Sequence, residues 1–267
     1  MRALQKQYIV DVFVWIDDLV SQPVKPGQKP VLKDSELLTI FIWDGLTEPH
    51  KNLSAVYSWI EREYTDCFPT LPAYQNFVAH AHRLLPTFIW LLQVFLTSNA
   101  PLRFCDSTML PVCRTVRADR HKVAKSVARW GKNHQGWWYG FKLHAAVDHH
   151  GLLAALCFTP ANEYDAQKLE QLVNQATKIV VGDSHYAASP MRKRLWKRYG
   201  IVVVANNRKR ALMAEWQQLL LAMRQKVKAA FGKLKEQHYL VTSFPRSVQG
   251  YFVHYLRVLL GYRLANA

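Results

Sequence analysis

Two aspartates, Asp106 and Asp183, have positions in the sequence that could form a metal site for phosphate chemistry. Asp106 closes the apolar run that begins at Leu102, and Asp183 closes the run that begins at Ile179. Short apolar runs that end in an acid and a small polar residue indicate buried strands that deliver carboxylates to the edge of a sheet. Carboxylate oxygens are the ligands that hard cations such as Mg²⁺ prefer. The pair therefore predicts a divalent cation site.

The charge of the chain indicates a polyanionic partner, which would make the chemistry that of phosphodiesters. The 267 residues carry a formal net charge of +16, and the basic residues cluster at 114–142, 192–198 and 208–210. The first cluster contains one acid, Asp119. Clusters that flank or follow the acidic strands predict contact with nucleic acid rather than a merely basic surface. The basic residues of the first cluster are Arg114, Arg117, Arg120, Lys122, Lys125, Arg129, Lys132 and Lys142.

Composition argues against a disordered chain and a membrane protein. Half of the residues are hydrophobic, which is enough to bury a core. No apolar run reaches the roughly 18 residues of a membrane span, and the acids at 11, 17 and 18 do not fit a signal peptide. The four cysteines have no C-x-x-C spacing, which favours buried thiols over a zinc site and predicts a reducing cytoplasm.

The first hundred residues predict an all-helical N-terminal domain, residues 1–99. Apolar residues recur at helical spacing in five segments, which we interpret either as a DNA-binding region with a helix-turn-helix-like reader or as a purely structural bundle. The predicted helices cover 8–20, 34–43, 52–64, 74–85 and 86–97.

Residues 100–267 predict a second domain of α/β class. Strands are expected at 102–106, 136–148, 152–158, 178–183 and 201–205, and helices at 165–176, 191–199 and 212–235. This order is typical of an RNase H-like fold, a mixed sheet flanked by helices. The first and fourth strands are neighbours in that topology, so we expect Asp106 and Asp183 to lie close together.

The same segments resemble the DDE transposases of bacterial insertion sequences. Asp106-Ser107-Thr108 is similar to their first acidic motif, and residues 181–186 are similar to their second, usually G-D-x-x-Y. Weaker similarity extends over 138–144, 158–165 and the tail from 231 to 256. The resemblance covers about residues 100–262 and implies an RNase H-like catalytic domain.

The third acid of that family is missing from its usual place. In the family it lies on the last helix, with three residues between it and a preceding arginine and six residues between it and a following lysine. That register falls here on Arg224, Lys228 and Lys235, so the third-acid position is a lysine. An ordinary lysine is protonated at neutral pH and would repel a metal ion.

Three other carboxylates could substitute for the third acid. Glu236 is a possible substitute, but eight residues of helix place it about 12 Å along the axis from Lys228. It would serve only if the helix ended or shifted register. Glu163 and Asp165 follow the third strand and are further possible donors, although Asp165 could instead cap the following helix.

The resemblance implies a transposase that binds the terminal inverted repeats of its own element, cleaves strands there and joins them to target DNA. Two Mg²⁺ or Mn²⁺ ions per active site would be held by Asp106 and Asp183, with no small-molecule cofactor. The partner would be double-stranded DNA, bound by a homodimer in the bacterial cytoplasm and at the nucleoid. DNA would be contacted by the first basic cluster and by Arg224 and Lys235.

Two other functions remain open from the sequence. Lys228 leaves a two-carboxylate site, which would suit a catalytically impaired, DNA-binding transposase remnant. An unrelated RNase H-like nuclease acting on RNA–DNA hybrids or junctions would share the two aspartates and the basic surface.

Histidines and tryptophans near the strands also have two interpretations each. The histidines could bind metal or act as bases, and the tryptophans could stack on flipped bases, but packing is the favoured interpretation for both sets. For one of them, His144, phosphate contact is a further option. The residues are His134, His144, His149 and His150, and Trp130, Trp137 and Trp138.

Overall fold

The structure is a computed structural model that describes residues 2–20, 30–133, 136–187, 189–205, 213–241 and 244–266. Its contacts divide the chain into two compact units. The helical unit comprises Met1–Phe95 and Leu234–Ala267, and the sheet unit comprises Leu96–Lys233. The third basic cluster, residues 208–210, and His134 lie outside the described residues.

The helical unit contains the five predicted helices and one that the sequence analysis missed. Asn52 caps the third of them, because its side-chain oxygen accepts a hydrogen bond from the backbone N–H of Ala55. Glu36 accepts from the N–H of Lys33 at the start of the second. The helices are α1 (Arg2–Val20), α2 (Asp34–Thr47), α3 (Leu53–Glu63), α4 (Tyr74–Arg83), α5 (Leu85–Phe95) and, near the C-terminus, α9 (Val248–Ala265).

Helix α9 is the central helix of this unit and packs against α2, α4 and α5. From Gly250 to Tyr262 every residue except Phe252 is buried, and a helix buried on all sides needs neighbours on all sides. The predicted domain boundary, which put residues 100–267 in one domain, therefore differs from the contact-based division. Residues 234–267 group with the N-terminal helices.

The sheet unit is a mixed sheet, and the predicted α/β fold class is confirmed. Six strands are described, in the order β2-β3-β1-β5-β6, with β4 also paired to β3. β1 is antiparallel to β3 and parallel to β5. The strands are β1 (Leu102–Pro111), β2 (Arg129–Asn133), β3 (Gly136–Val147), β4 (Leu153–Pro160), β5 (Ile179–Gly182) and β6 (Val202–Ala205).

The helices of the sheet unit differ in part from the predicted ones. The predicted helix at 165–176 is a 3₁₀ helix, Asp165–Leu172. It stops there because Asn174 and Thr177 form a turn and the buried Arg103 guanidinium binds the carbonyl of Leu172. The predicted tract 212–235 is two helices, and strand β2 was not predicted. The α-helices are α6 (Ser189–Tyr199), α7 (Glu215–Ala222) and α8 (Gln225–Glu236).

A hydrophobic core of the sheet unit lies between the sheet, the Asp165–Leu172 helix and α6. It includes Val180 and Val203 from the strands and Leu169 and Leu195 from the helices. The four cysteines are free thiols, and Cys105 belongs to this core. Within the described residues, no helix combines the length and apolar character that crossing a bilayer requires.

Candidate active site

Asp106 lies on β1, and Asp183 directly follows β5, the parallel strand beside it. The pairing of β1 with β5 sets Leu102 opposite Ile179 and Phe104 opposite Val181. Continued by two residues, this register brings Asp106 level with Asp183, and the two carboxylates interact electrostatically. The predicted strand 102–106 is too short, however. β1 runs on to Pro111 because β3 pairs with it there, so Asp106 lies within a strand, at the point where β5 ends.

Arg224 binds the Asp106 carboxylate. Its Nη2 atom lies 3.3 Å from Asp106 Oδ2, and the other carboxylate oxygen accepts the N–H of Ser107. Burial is the main reason why the pKa of Asp106 is raised, and the charge of Asp183 raises it further, while Ser107 and Arg224 oppose this. An ionised carboxylate has about four lone-pair sites, so Asp106 keeps acceptor capacity for a cation.

The turn after β5 explains the G-D-x-x-Y spacing. Asp183 Oδ1 accepts the N–H of His185, which starts the 3₁₀ helix Ser184–Ala187. The ring of Tyr186 then packs onto Gly182, where an added Cβ would lie 2.6 Å from the ring. Its hydroxyl is buried with no hydrogen-bond partner among the described residues. Burial, followed by the charges of nearby acidic groups, raises the Tyr186 pKa.

Asp165 is tied to the strand that carries Asp106. The hydroxyl of Ser107 donates to Asp165 Oδ2 at 2.7 Å, and Lys142 Nζ donates to Asp165 Oδ1 at 2.7 Å. Lys142 also donates to the carbonyl of Glu163. Asp165 therefore connects β1 and β3 to its own helix, and a lysine already neutralises the carboxylate that was predicted as a possible metal ligand. Sequence spacing gave no signal for this network.

The buried histidine of β3 belongs to the same cluster but is a packed residue. His144 Nε2 pairs with the hydroxyl of Thr159 at 2.9 Å, and its Nδ1 lies 3.8 Å from Asp165. Burial lowers its pKa to about 4. His149 and His150 lie exposed in the β3–β4 turn. The packing interpretation agrees with the position of His144.

Lys228 lies on the exposed side of α8. The buried stripe of this helix is formed by Val227, Ala230, Phe231 and Leu234, and Lys228 is exposed beside it. Among the described residues, no group of three or more His, Cys, Asp or Glu side chains is placed to hold a metal ion. The predicted metal ligands Asp106 and Asp183 therefore have no third described acid placed to complete such a group.

Neither alternative acid gains support from the fold. Helix α8 runs unbroken to Glu236, so the separation of about 12 Å from Lys228 persists. Glu236 is exposed, and it belongs by contacts to the helical unit. Glu163 pairs with Lys168 at 3.1 Å. Both remain predictions.

The predicted DNA-binding residues fall into two classes. Seven of the eight residues in the first basic cluster are exposed. The eighth, Lys142, is partly buried, as are Arg224 and Lys235. Lys142 binds Asp165, Arg224 binds Asp106, and burial lowers the pKa of Lys235. The exposed residues are Arg114, Arg117, Arg120, Lys122, Lys125, Arg129 and Lys132.

The three tryptophans of the first basic region also divide. Trp138 is 6% exposed and its indole N–H donates to the carbonyl of Phe141, so it is a core residue. Trp130 and Trp137 are exposed on the β2–β3 hairpin, with the ammonium of Lys132 5.2 Å from the Trp137 ring. The packing interpretation therefore agrees with the buried position of Trp138, whereas Trp130 and Trp137 are only partly packed.

Comparison with known proteins identifies the family. A family model described as "Transposase DDE domain" matches residues 97–248, which is more than half of the chain and includes both aspartates and Lys228. No curated protein matches the chain. The matched region carries the sheet, the paired strands β1 and β5, and the G-D-x-x-Y turn described above. The chain therefore belongs to the DDE transposase family.

Proposed function

We propose that this protein is a DNA transposase that binds the terminal inverted repeats of its own insertion sequence, cleaves the strands at those ends and joins them to target DNA. The observation that carries the proposal is that β1, which carries Asp106, and β5, which Asp183 directly follows, are paired parallel strands, and that the two aspartates interact electrostatically. The membership of the family supports a transposase acting on DNA. It would act in the bacterial cytoplasm, as a homodimer that pairs two element ends.

DNA would be held by the exposed basic residues between β1 and β2, from Arg114 to Lys132. They are close together in the chain and exposed, so they can follow a phosphate backbone without first breaking buried ion pairs. The N-terminal helices, residues 1–99, would contribute to recognition of the repeats. Arg224 would hold a phosphate only after loosening its contact with Asp106, and Lys142 is engaged by Asp165.

The Asp106–Asp183 pair fits a divalent cation such as Mg²⁺ or Mn²⁺. Their mutual repulsion, and the burial that raises the pKa of Asp106, would both be relieved by a positive charge between them. Mg²⁺ commonly uses one or two carboxylates and keeps several waters. When bound, the metal would activate the attacking oxygen or stabilise the leaving one. A second ion would need a further ligand.

The residues around the pair would position it. Ser107 and Asp165 brace the strand that carries Asp106, and Lys142 holds Asp165 in place. Tyr186 fixes the turn that follows Asp183. Arg224 balances the charge of Asp106, and it would be available to a DNA phosphate if a cation took its place at that carboxylate.

A second function has a specific observation in its favour. Lys228 occupies the third-acid position, and within the described residues no three-acid group replaces it. A chain with two carboxylates would bind the element ends without turning them over. It would then be a catalytically impaired, DNA-binding transposase.

One experiment separates the two functions. Labelled DNA carrying the element ends would be incubated with the unaltered chain and with Lys228→Glu, each in Mg²⁺ and in Mn²⁺. Cleavage by the unaltered chain identifies an active transposase and directs the search for the third ligand to Glu163, Asp165 and Glu236. Cleavage by Lys228→Glu alone identifies the impaired form.

Two controls complete the experiment. Asp106→Ala in the active background should abolish cleavage, because the metal loses a ligand. Cleavage that survives this change, or cleavage of RNA–DNA hybrids in preference to element ends, would contradict the proposal and favour the RNase H-like nuclease.

A further inference from the structure

Helix α6 presents a cationic face that the proposed function leaves without a role. Its sequence contains five basic residues and no acid. Met191 and Leu195 are buried and attach the helix to the sheet. The helix surface that faces away from Met191 and Leu195 carries four exposed residues within about 140° of the helical wheel. They are, in order around the helix, Arg192, Trp196, Lys193 and Lys197.

The three cations of this face have no acidic partner in the part of the chain that the structure describes. Arg194 pairs with Glu170 at 2.9 Å, and Arg198 lies 5.1 Å from the ring of Tyr199. Among the described residues, Arg192, Lys193 and Lys197 form no ion pair. Lys193 and Lys197 are also four residues apart, a spacing at which like charges destabilise a helix. A polyanion bound on this face would remove that repulsion.

The indole of Trp196 gives the same face a flat apolar surface. Trp196 is 62% exposed, the most exposed tryptophan among the described residues. It borders a groove of about 340 Å³ that lies between α6 and β6, the strand at the open end of the sheet. The groove is lined by Arg192, Lys193, Trp196, Ile201, Val202 and Val203.

We propose that this groove, which we call the α6 groove, binds an unpaired segment of DNA, with a base stacked on Trp196 and phosphates held by Arg192, Lys193 and Lys197. An aromatic ring beside unpartnered cations is the combination that single-stranded nucleic acid requires, because every base has a stacking face and every nucleotide a phosphate. The apolar residues of the lining, Ile201, Val202 and Val203, suit a base rather than a phosphate. The inference rests on the proposed function, in which DNA is the substrate and strand cleavage at the element ends could leave a segment unpaired.

The test is binding of a labelled single-stranded DNA of about ten nucleotides to the full chain in EDTA, so that cleavage plays no part. Trp196→Ala should weaken binding about 5- to 100-fold, whereas Trp196→Phe should retain most of it. The binding constant falls with salt, and each phosphate contact contributes about 0.7 to the steepness of log K against log salt. The double change Arg192→Gln with Lys193→Gln should therefore make this slope shallower by about 1.4.

The matched control is Trp216→Ala. Trp216 is 47% exposed and lies in the same unit on α7, a helix without basic residues, so its loss should leave binding unchanged. An equal effect of Trp216→Ala and Trp196→Ala would overturn the proposal. So would an equal loss on blunt duplex and single strand, which would make the groove a duplex-binding surface.

Failure of this inference can be distinguished from failure of the proposed function. If Trp196→Ala has no effect on single strands while Lys228→Glu or the unaltered chain cleaves element ends, the groove has no such role and the transposase function stands. If neither cleavage nor binding of element ends occurs, the proposed function itself fails.

Discussion

Two aspartate–arginine pairs, one in each unit, use the same side-chain types under opposite conditions. In the helical unit, Arg257 Nη1 lies 2.7 Å from Asp44 Oδ2, and the two side chains are 1% and 2% exposed. In the sheet unit, Arg224 lies 3.3 Å from Asp106, and each side chain is 16% exposed. The first pair is sealed within helices α2 and α9, and the second is within reach of solvent.

The neighbours of the two pairs make the difference larger. Arg257 also binds the carbonyl of His50 and Nδ1 of His254, and Asp44 accepts two hydrogen bonds from His50. Arg224 makes one such contact among the described residues, the one to Asp106. The pair in the helical unit is thus enclosed by further hydrogen bonds, whereas the pair in the sheet unit is partly exposed and has fewer partners.

The largest expected effect is on cleavage. Asp106→Asn, made in whichever background cuts element-end DNA, should lower the cleavage rate about 10³-fold, because a metal ligand stabilises the transition state by several kcal/mol. The same variant should be no less stable than the parent at pH 7, since burial already disfavours the ionised Asp106. Cleavage rates and thermal unfolding of the two proteins give both answers. A strongly destabilised Asp106→Asn protein would show that the two pairs are alike.

Asp44→Asn should have the reverse effect. Removing one partner of a buried ion pair leaves an uncompensated charge, and we expect the free energy of unfolding to fall by about 3–5 kcal/mol. Urea denaturation measures this. As a control, the double change Asp44→Leu with Arg257→Met should recover much of the loss, because no buried charge remains. Equal losses in the single and double variants would contradict the interpretation.

Glycine substitutions test how tightly each region is packed. A Cβ at Gly45 would lie 2.4 Å from the backbone of Gly261, and one at Gly182 would lie 2.6 Å from the Tyr186 ring. Alanine at either position should destabilise the protein by about 1–3 kcal/mol, more at Gly45 because backbone cannot rotate away. The control is Gly232→Ala in α8, where nothing lies within 4 Å, and it should stabilise by about 0.5–1 kcal/mol. Chemical denaturation ranks the three, and a harmless Gly45→Ala would contradict the close helix contact.

The last effect, small near neutral pH, is the pH dependence of the helical unit. Burial lowers the pKa of His254 to about 3, and the charge of Arg257 adds to this. Since the unfolded chain has a pKa near 6.5, the stability from this group is complete above pH 6.5 and falls toward pH 3, by at most about 1.4 kcal/mol per pH unit. His254→Gln should flatten the decline in the free energy of unfolding between pH 7 and pH 5. Parallel curves for the two proteins would rule out this role.

The stability contribution of His50, which hydrogen-bonds Asp44, changes with pH in the opposite direction. The hydrogen bond to Asp44 raises its pKa, so its contribution is complete below pH 6.5 and is lost as pH rises through the folded-state pKa. His50→Gln should therefore lose more stability at pH 6 than at pH 8, which the same denaturation series measures.

Much of the fold followed from local pattern. The helices beginning at Asp34 and Asn52 have acidic or capping residues at their first turn, and strands β3, β5 and β6 are runs of apolar residues, so their positions were predictable. Strand β2 was not, because Arg129, Gly131 and Lys132 are not typical strand residues. It forms because β3 pairs with it and Trp130 packs on Tyr139. Helix α9 was missed as an element, although its apolar residues are evident.

The sequence by itself determined the family resemblance, the two aspartates, the missing third acid and the excess of positive charge, because each depends on residue types and short spacings. Only the tertiary structure decided which charged side chains have an ion-pair partner among the described residues and which face solvent. Arg224 meets Asp106 across 118 positions and Lys142 meets Asp165 across 23, whereas Arg192, Lys193 and Lys197 on α6 face solvent. Local spacing cannot encode these differences, because partners and burial are set by how distant segments pack around the sheet.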